Sequence, residues 1–290
     1  MTKRILALAA ALLLAASLTT HAQVPPPYAG TFVRSLFSAV AADDTDVILV
    51  VKYVGDQSSA ATVTVTSATA LVAFTVGGVA DTTINVQATT PCGATVGTLD
   101  GTDTDCDTVG EIVDEINASP NWKAKPLDAL RSDATTANLM LGPACNAKNP
   151  DGCSITWDTS NAFVHSRALV SCRSASCLFP GLGQNVNRNP YLGTHTSLQN
   201  FNAKSTYGSG TSTLNIYGVV PSNTGAGETA TLLWTAAGGA TTAYASLGAT
   251  QWPIGLIGPQ NGKVIVRVTN SAAMASVASQ AYALLYRYAP

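Results

Sequence analysis

Short runs of β-branched and apolar residues, cut at regular intervals by glycine, proline and asparagine, constrain this chain most. VILVVKYV (Val47–Val54), ATVTVTSA (Ala61–Ala68), ALVAFTV (Ala70–Val76) and TTINVQA (Thr82–Ala88) follow one another within 42 residues. The strict alternation of ATVTVT places its valines on one face and its threonines on the other, the pattern of a half-buried strand. Gly77-Gly78 supplies a turn in which positive φ has no steric cost. The last quarter repeats the theme with STLNIYGVV, TATLLWTAA, TTAYASL, WPIGLIG, KVIVRVTN and AYALLYRYA between Thr211 and Pro290, punctuated by Gly238-Gly239 and Pro259-Gln260-Asn261-Gly262. Evenly spaced short strands predict an antiparallel sandwich of jelly-roll type. The chain therefore reads as mainly β. With 46% hydrophobic residues it is too apolar to remain unfolded.

One segment breaks the period of two. Thr108-Val109-Gly110-Glu111 has the form of a capping box, and Ile112, Val113 and Ile116 follow on one helical face. Asp105 and Asp107 stand where a helix dipole favours negative charge. Ser119-Pro120 stops the helix, and WKAKPLD (Trp122–Asp128) returns as a strand or edge segment. Four strands, one helix and a returning strand make a small α+β domain.

Residues 108–125, TVGEIVDEINAS followed by NWKA after Pro120, resemble the IN module of flagellar filament cap and hook-associated proteins, and modules of large phage structural proteins. The common pattern is a strand pair, a helix ending in Ile116-Asn117, then a strand. The resemblance implies an appendage or virion role and brings no catalytic residue with it.

The domain scheme is then a signal peptide at 1–22, an arm at 23–42, the α+β domain at 43–135, a disulfide-rich connection at 136–205 and a β-sandwich at 206–290. Lys3 and Arg4 precede the apolar run Ile5–Leu18, and Thr20-His21-Ala22 ends on a small residue, as a cleavable secretory signal does. No later segment is apolar enough to span a membrane. The expected location is secreted or at the cell surface, with the periplasm in transit. In the arm, Val24-Pro25-Pro26-Pro27-Tyr28 is stiff and extended. Thr31–Ala42 is open to two readings, a short amphipathic helix or an extended segment packed on a neighbour.

Six cysteines, Cys92, Cys106, Cys145, Cys153, Cys172 and Cys177, read as three disulfides in an oxidising compartment. Nearest-neighbour pairing gives Cys92–Cys106, Cys145–Cys153 and Cys172–Cys177. Cys145 and Cys153 are spaced too widely for the paired ligands of a zinc site.

The charge is divided along the chain. From Gln23 to Asp158 sixteen acidic residues face six basic ones, net −10. From Thr159 to Pro290 Glu228 stands alone against seven basic residues, net +6. Two readings stay open besides simple surface difference. An acidic end meeting a basic end would make a heterologous, head-to-tail contact between copies. Alternatively Arg167, Arg173 and Arg188 face an anionic cell-surface polymer. Nucleic acid is not expected, because no base-reading motif accompanies the basic residues.

The densest acidic stretch, DGTDTDCDTVGE (Asp100–Glu111), admits a calcium site. Asp103, Asp105, Asp107 and Asp114 would supply hard oxygen ligands at alternating spacing. Thr108 stands where an EF-hand needs glycine, so an EF-hand is excluded. Catalytic motifs are missing from the text: His165 and His195 lack zinc-protease spacing, no serine sits in a nucleophile elbow, and no phosphate loop or haem-attachment motif occurs. Trp122, Trp157, Trp234 and Trp252 offer a carbohydrate platform only if exposed. The sequence thus predicts a non-enzymatic, exported structural protein, a subunit of a filament, surface layer or similar assembly. The alternatives are a secreted carbohydrate- or anionic-polymer-binding module and a virion structural protein.

Overall fold

The structure, a computed structural model, describes residues 31–39, 47–66, 69–86, 92–93, 95–135, 139–140, 144–157, 164–169, 175–179, 196–206, 212–221, 227–238, 243–247, 256–257, 263–270 and 279–288. The signal-peptide reading falls on residues 1–22, outside this set. Among the described residues no helix is long and apolar enough to cross a membrane.

Strand β1 (Thr31–Ala39) settles the first ambiguity: it is extended, and it pairs within its own chain, not as a helix. Strands β2 (Val47–Tyr53), β3 (Ala61–Thr66), β4 (Leu71–Val76) and the short β5 (Val79–Ala80) then follow as the alternation requires. β3 and β4 run antiparallel from Ala61↔Val76 to Thr66↔Leu71. Gly77 and Gly78, at φ 61° and 83°, make the tight turn from β4 to β5, a conformation that L side chains resist.

The described part of TTINVQA, residues 82–86, is not a strand. Residues 81–86 turn instead, and the cause is polar side chains competing for the backbone. Asp81 Oδ1 accepts from the Thr83 amide at 2.8 Å. Asn85 sits at φ 54°, where its Oδ1 accepts from the Cys92 amide at 3.0 Å and its Nδ2 donates to the Gly93 carbonyl at 2.9 Å. Ile84 stays fully buried, so the segment keeps its apolar anchor while leaving the sheet.

After β6 (Thr98–Asp100) comes helix α1 (Val109–Ala118), then β7 (Trp122–Pro126). The helix buries Val109, Ile112, Val113 and Ile116. At about 1.5–3 kcal/mol per buried side chain, this face outweighs a cap worth about 1 kcal/mol. Packing therefore holds the helix and the cap fixes where it begins. Asn117 explains its own position. Its Oδ1 accepts from the Ala124 amide and its Nδ2 donates to the Ala124 carbonyl, both at 3.0 Å, so one amide side chain mimics a strand partner for β7.

The region read as a disulfide-rich connection contains strands: β8 (Leu139–Met140), β9 (Cys145–Asn146), β10 (Cys153–Trp157), β11 (Val164–Leu169) and β12 (Thr196–Thr206), with a one-turn helix α2 (Ala175–Leu178) between the last two. Two small sheets result in the first half, ordered β7-β2-β10-β8 and β5-β4-β3-β9, with β6 pairing β4. Their shared core holds Ile48, Leu49, Val63, Val72, Phe74, Leu99, Ile112, Ile116, Trp122 and Ile155. Trp122 is its centre, edge-on to Tyr53 at 4.9 Å and to Phe74 at 5.0 Å, with Nε1 donating to Asp81 Oδ2 at 2.6 Å.

Six further strands complete the chain: β13 (Ser212–Pro221), β14 (Glu228–Gly238), β15 (Ala243–Leu247), β16 (Leu256–Ile257), β17 (Lys263–Asn270) and β18 (Ser279–Tyr288). All six coincide with runs read as strands in the sequence, β13, β14 and β18 reaching one or two residues beyond them. They form two antiparallel sheets, β1-β18-β12-β15 with β16 beside β12, and β11-β17-β13-β14. These sheets draw strands from outside residues 206–290, namely β1, β11 and β12. The α+β elements from β2 to β10 lie in sequence between β1 and β11.

Cys92–Cys106 and Cys145–Cys153 are paired, with Cα separations of 5.2 and 5.8 Å. The second joins β9 of one sheet to β10 of the other, and its presence leaves no four-cysteine zinc set. Cys172, and the side chain of Cys177 on α2, lie outside the described residues, so the third expected pairing does too.

Candidate functional site

The acidic stretch folds as a cap. Thr108 donates its amide to Glu111 Oε2 at 3.0 Å, and its hydroxyl accepts from the Glu111 amide at 3.4 Å. The aspartates before it close local turns: Asp100 Oδ1 accepts from the Thr102 amide at 2.9 Å, and Asp103 Oδ1 from the Asp105 amide at 3.2 Å. Thr135 ties the loop down, its amide donating to the Asp107 carbonyl at 2.7 Å and its hydroxyl contacting the carbonyls of Gly101 and Cys106 at 3.0 Å. Asp114 pairs with the Arg131 guanidinium, which also donates to the Gly110 carbonyl at 3.1 Å. The structure does not bring Asp103, Asp105, Asp107 and Asp114 into one ligand set. Among the described residues no three of His, Cys, Asp and Glu come together as a metal-binding group.

The two charge classes meet where the α+β elements pack on the later sheets. A second core lies there: Val50, Leu127 and Leu130 from the first half, and Ala168, Ala175, Leu178, Phe179, Val219 and Ile265 from the second. Two carboxylates cross this seam, one buried and one partly buried. Asp128, fully buried, accepts from the Val47 amide at 2.8 Å with one oxygen and from the Ala168 amide at 2.7 Å with the other. Asp133 takes both guanidinium nitrogens of Arg267, Nη1 at 2.6 Å. Arg267 Nε donates to the Ser166 hydroxyl at 2.7 Å, and its guanidinium lies 5.7 Å from the Tyr217 ring. A planar fork bidentate on a carboxylate is the geometry that makes arginine suited to a buried ion pair. At least one basic residue of the second half thus meets an acid of the first within the same chain.

Beside the seam lies a cleft of about 270 Å3, lined by Leu130, Arg131, Ser132, Val219, Glu228, Thr229 and Ala230. Among the described lining residues Ser132 has no histidine or cysteine beside it. Elsewhere burial moves two ionisable groups. Glu115 is held above its ordinary carboxyl range by burial, opposed by a hydrogen bond from the Asn85 backbone. Lys52 is lowered by burial and partly restored by Asp151.

Of the residues singled out in the sequence, Trp122 and Trp157 are buried, 0% and 6% exposed, and neither belongs to a sugar-binding platform. The side chains of Trp234, His165 and Arg167, and residues Trp252, His195, Arg173 and Arg188, lie outside the described set. The sequence reading missed Asp128, Asp133 and Arg267. The signal for Arg267 was present: in KVIVRVTN it shares a strand face with Ile265, which is fully buried.

The last feature is a backbone edge. Among the described strands β14 pairs only with β13, from Ser212↔Gly238 to Pro221↔Glu228, with a register shift between Ile216 and Tyr217. Its outer side is an edge eleven residues long. Thr229, Ala230, Thr231, Leu232 and Thr235 are exposed, Leu232 by 50%. No family model, curated protein or solved structure matches the chain.

Proposed function

We propose that the chain is an exported, non-enzymatic subunit of an extracellular assembly, built on an eight-stranded jelly roll that carries the α+β elements as an insertion. Pairing order supports the roll. Numbered in chain order, β1, β11, β12, β13, β14, β15, β17 and β18 are strands one to eight. The first pairs with the eighth, the second with the seventh, the third with the sixth and the fourth with the fifth. That is a long hairpin. It is rolled into two sheets by the contacts of the eighth with the third and the seventh with the fourth. Export is supported by the basic-then-apolar start of the sequence and by the paired cysteines.

The observation that carries the assembly reading is β14. Sheet edges in soluble proteins are commonly guarded by lysine, proline or short length. β14 runs eleven residues, ETATLLWTAAG, with no lysine or proline and with Glu228 as its single charge. Such an edge is a template for pairing with another strand. The test is light-scattering mass on the oxidised chain from Gln23, against the same chain with Thr231→Lys and Leu232→Lys. The parent associates; the variant, with an unchanged circular dichroism spectrum, is a monomer. A parent that stays monomeric at all concentrations and salts, or a variant that associates equally well, would overturn the reading.

A further inference from the structure

We propose that β14 pairs with β14 of a second copy, antiparallel and across a two-fold axis, and that Leu232 of each copy enters the cleft of the other. This rests on the assembly reading above and names the occupant of its edge: the same edge of another subunit.

The sheet has one edge to offer. At its other end β11 is met by the chain's own first half, where the Ala168 amide donates to the buried Asp128 at 2.7 Å. Among the end strands of the other sheets, β7 carries Lys123, Lys125 and Pro126, β1 carries Arg34 in its middle, and β5, β8, β9, β15 and β16 are five residues long or shorter. Charge, proline and short length are the usual guards of an edge. β14 has a single charge, Glu228, at its first residue. A sheet with one open edge cannot run on from copy to copy as a continuous ribbon. Joined edge to edge it closes, and a closed contact between two identical copies is isologous: residue i meets j, and j meets i.

The ladder fixes which residues meet. Ile216 pairs with Trp234 and Tyr217 with Leu232, so Leu233 is an extra residue on β14. Such a bulge bends a strand and interrupts its ladder, which leaves Glu228–Leu232 as the straight stretch. Thr229, Ala230, Thr231 and Leu232 are exposed in succession. Neighbouring side chains point to opposite faces, so neither face is covered there. Pairing this stretch with itself about Ala230 sets Thr229 opposite Thr231 and Glu228 opposite Leu232 of the second copy. The two glutamates then lie at opposite ends of the ladder, whereas a parallel arrangement would set these like charges side by side.

The cleft supplies the socket. It opens beside Glu228, Thr229 and Ala230, with Leu130 and Val219 as its apolar wall. Val219 stands opposite Ala230 in the ladder, on the face that Glu228, Ala230 and Leu232 share. A two-fold axis perpendicular to the sheet keeps that face common to both copies. Leu232, 50% exposed within its own subunit, therefore stands at the mouth of the other subunit's cleft. An exposed leucine and an apolar socket, four residues apart on one edge, form a self-complementary patch. The pair of subunits is the unit from which any larger assembly is built.

The test uses the oxidised mature chain from Gln23 in three forms: the parent, Thr229→Lys with Thr231→Lys, and Thr229→Glu with Thr231→Glu. Both positions are exposed, so each variant is expected to keep the parent's circular dichroism spectrum. Like charges directly opposite destabilise a strand pair and opposite charges support it. Each variant alone is expected at subunit mass in light scattering, and their equimolar mixture at twice that mass. If the parent associates but the mixture stays monomeric, or if either variant associates by itself, the self-pairing is overturned and assembly stands on another contact. If the parent is monomeric, self-pairing and the assembly reading fail together. Leu232→Ala, which adds no charge, is the second variant. It is expected to weaken the parent's association about tenfold or more, because the contact is made twice. An unchanged constant would remove Leu232 from the interface and overturn the pairing about Ala230.

Discussion

At the scale of single residues, the Asp133–Arg267 pair makes the sharpest demand. Both side chains are nearly out of water, 12% and 8% exposed. Asp133 also accepts from the Leu130 amide at 2.7 Å, which holds the carboxylate in place. Breaking such a pair from one side leaves the other charge buried without compensation, a loss of about 3–5 kcal/mol; replacing both sides by apolar groups is far milder. Asp133→Asn is therefore expected to lower unfolding free energy by about that amount in urea titration, and Asp133→Leu with Arg267→Met to recover most of it. A loss under about 1 kcal/mol for Asp133→Asn would mean that water reaches the pair and that the seam is looser than its geometry. Neither partner was legible as a pair in the sequence. They stand 134 residues apart, and nothing local to DALRSDAT marks Asp133 as the acid that Arg267 meets. Arg267 alone was legible as an oddity, a charge inside an apolar strand, because burial alternates along a strand and the face of Ile265 must be covered.

At the scale of elements, what could be read from the sequence was what neighbours in sequence decide. Helix α1 is the clearest case. Thr108, Glu111, Ile112 and Ile116 are within nine residues, and the capping box forms as the spacing requires. Thr108→Ala should cost about 1 kcal/mol, seen as a lower urea midpoint, with exchange protection lost first in the opening turn of the helix. Unchanged protection there would mean that Thr135, which anchors the same loop from the other side, carries the start of the helix alone. Residues 82–86, expected as part of a strand, turn for a related reason: their alternation was real, but Asp81 and Asn85 offered the backbone closer partners. The strands within the connection at 136–205 were hidden for a different reason. β10 is set by pairing with β2, Cys153↔Val51 to Thr156↔Val47, and β11 by pairing with β17, Val164↔Thr269 to Leu169↔Val264. Both partners are about a hundred residues away, and the glycine, asparagine and proline around these strands spoke only for the turns between them. β1 is the extreme case, since its partner lies at the opposite end of the chain.

At the scale of the whole molecule, the division of charge has two places to act, and salt separates them. Within the chain, acid meets base at the seam, where Asp133 and Arg267 are too buried for ions to reach. Near 1 M salt the Debye length is about 3 Å, which screens exposed charges and leaves a buried pair largely untouched. The unfolding midpoint should therefore move little between low and high salt. Between copies the situation is reversed. The acidic first half, net −10 from Gln23 to Asp158, and the basic second half, net +6, meet across solvent if subunits join head to tail, and their attraction is a long-range surface effect. Scattering mass is then expected to fall as salt rises, while the urea midpoint of the dissociated subunit stays nearly constant. The opposite result, a mass indifferent to salt with a midpoint that drops, would place the complementarity inside each subunit. In that case assembly would have to rest on the uncharged backbone edge of β14, because backbone hydrogen bonds respond weakly to ionic strength.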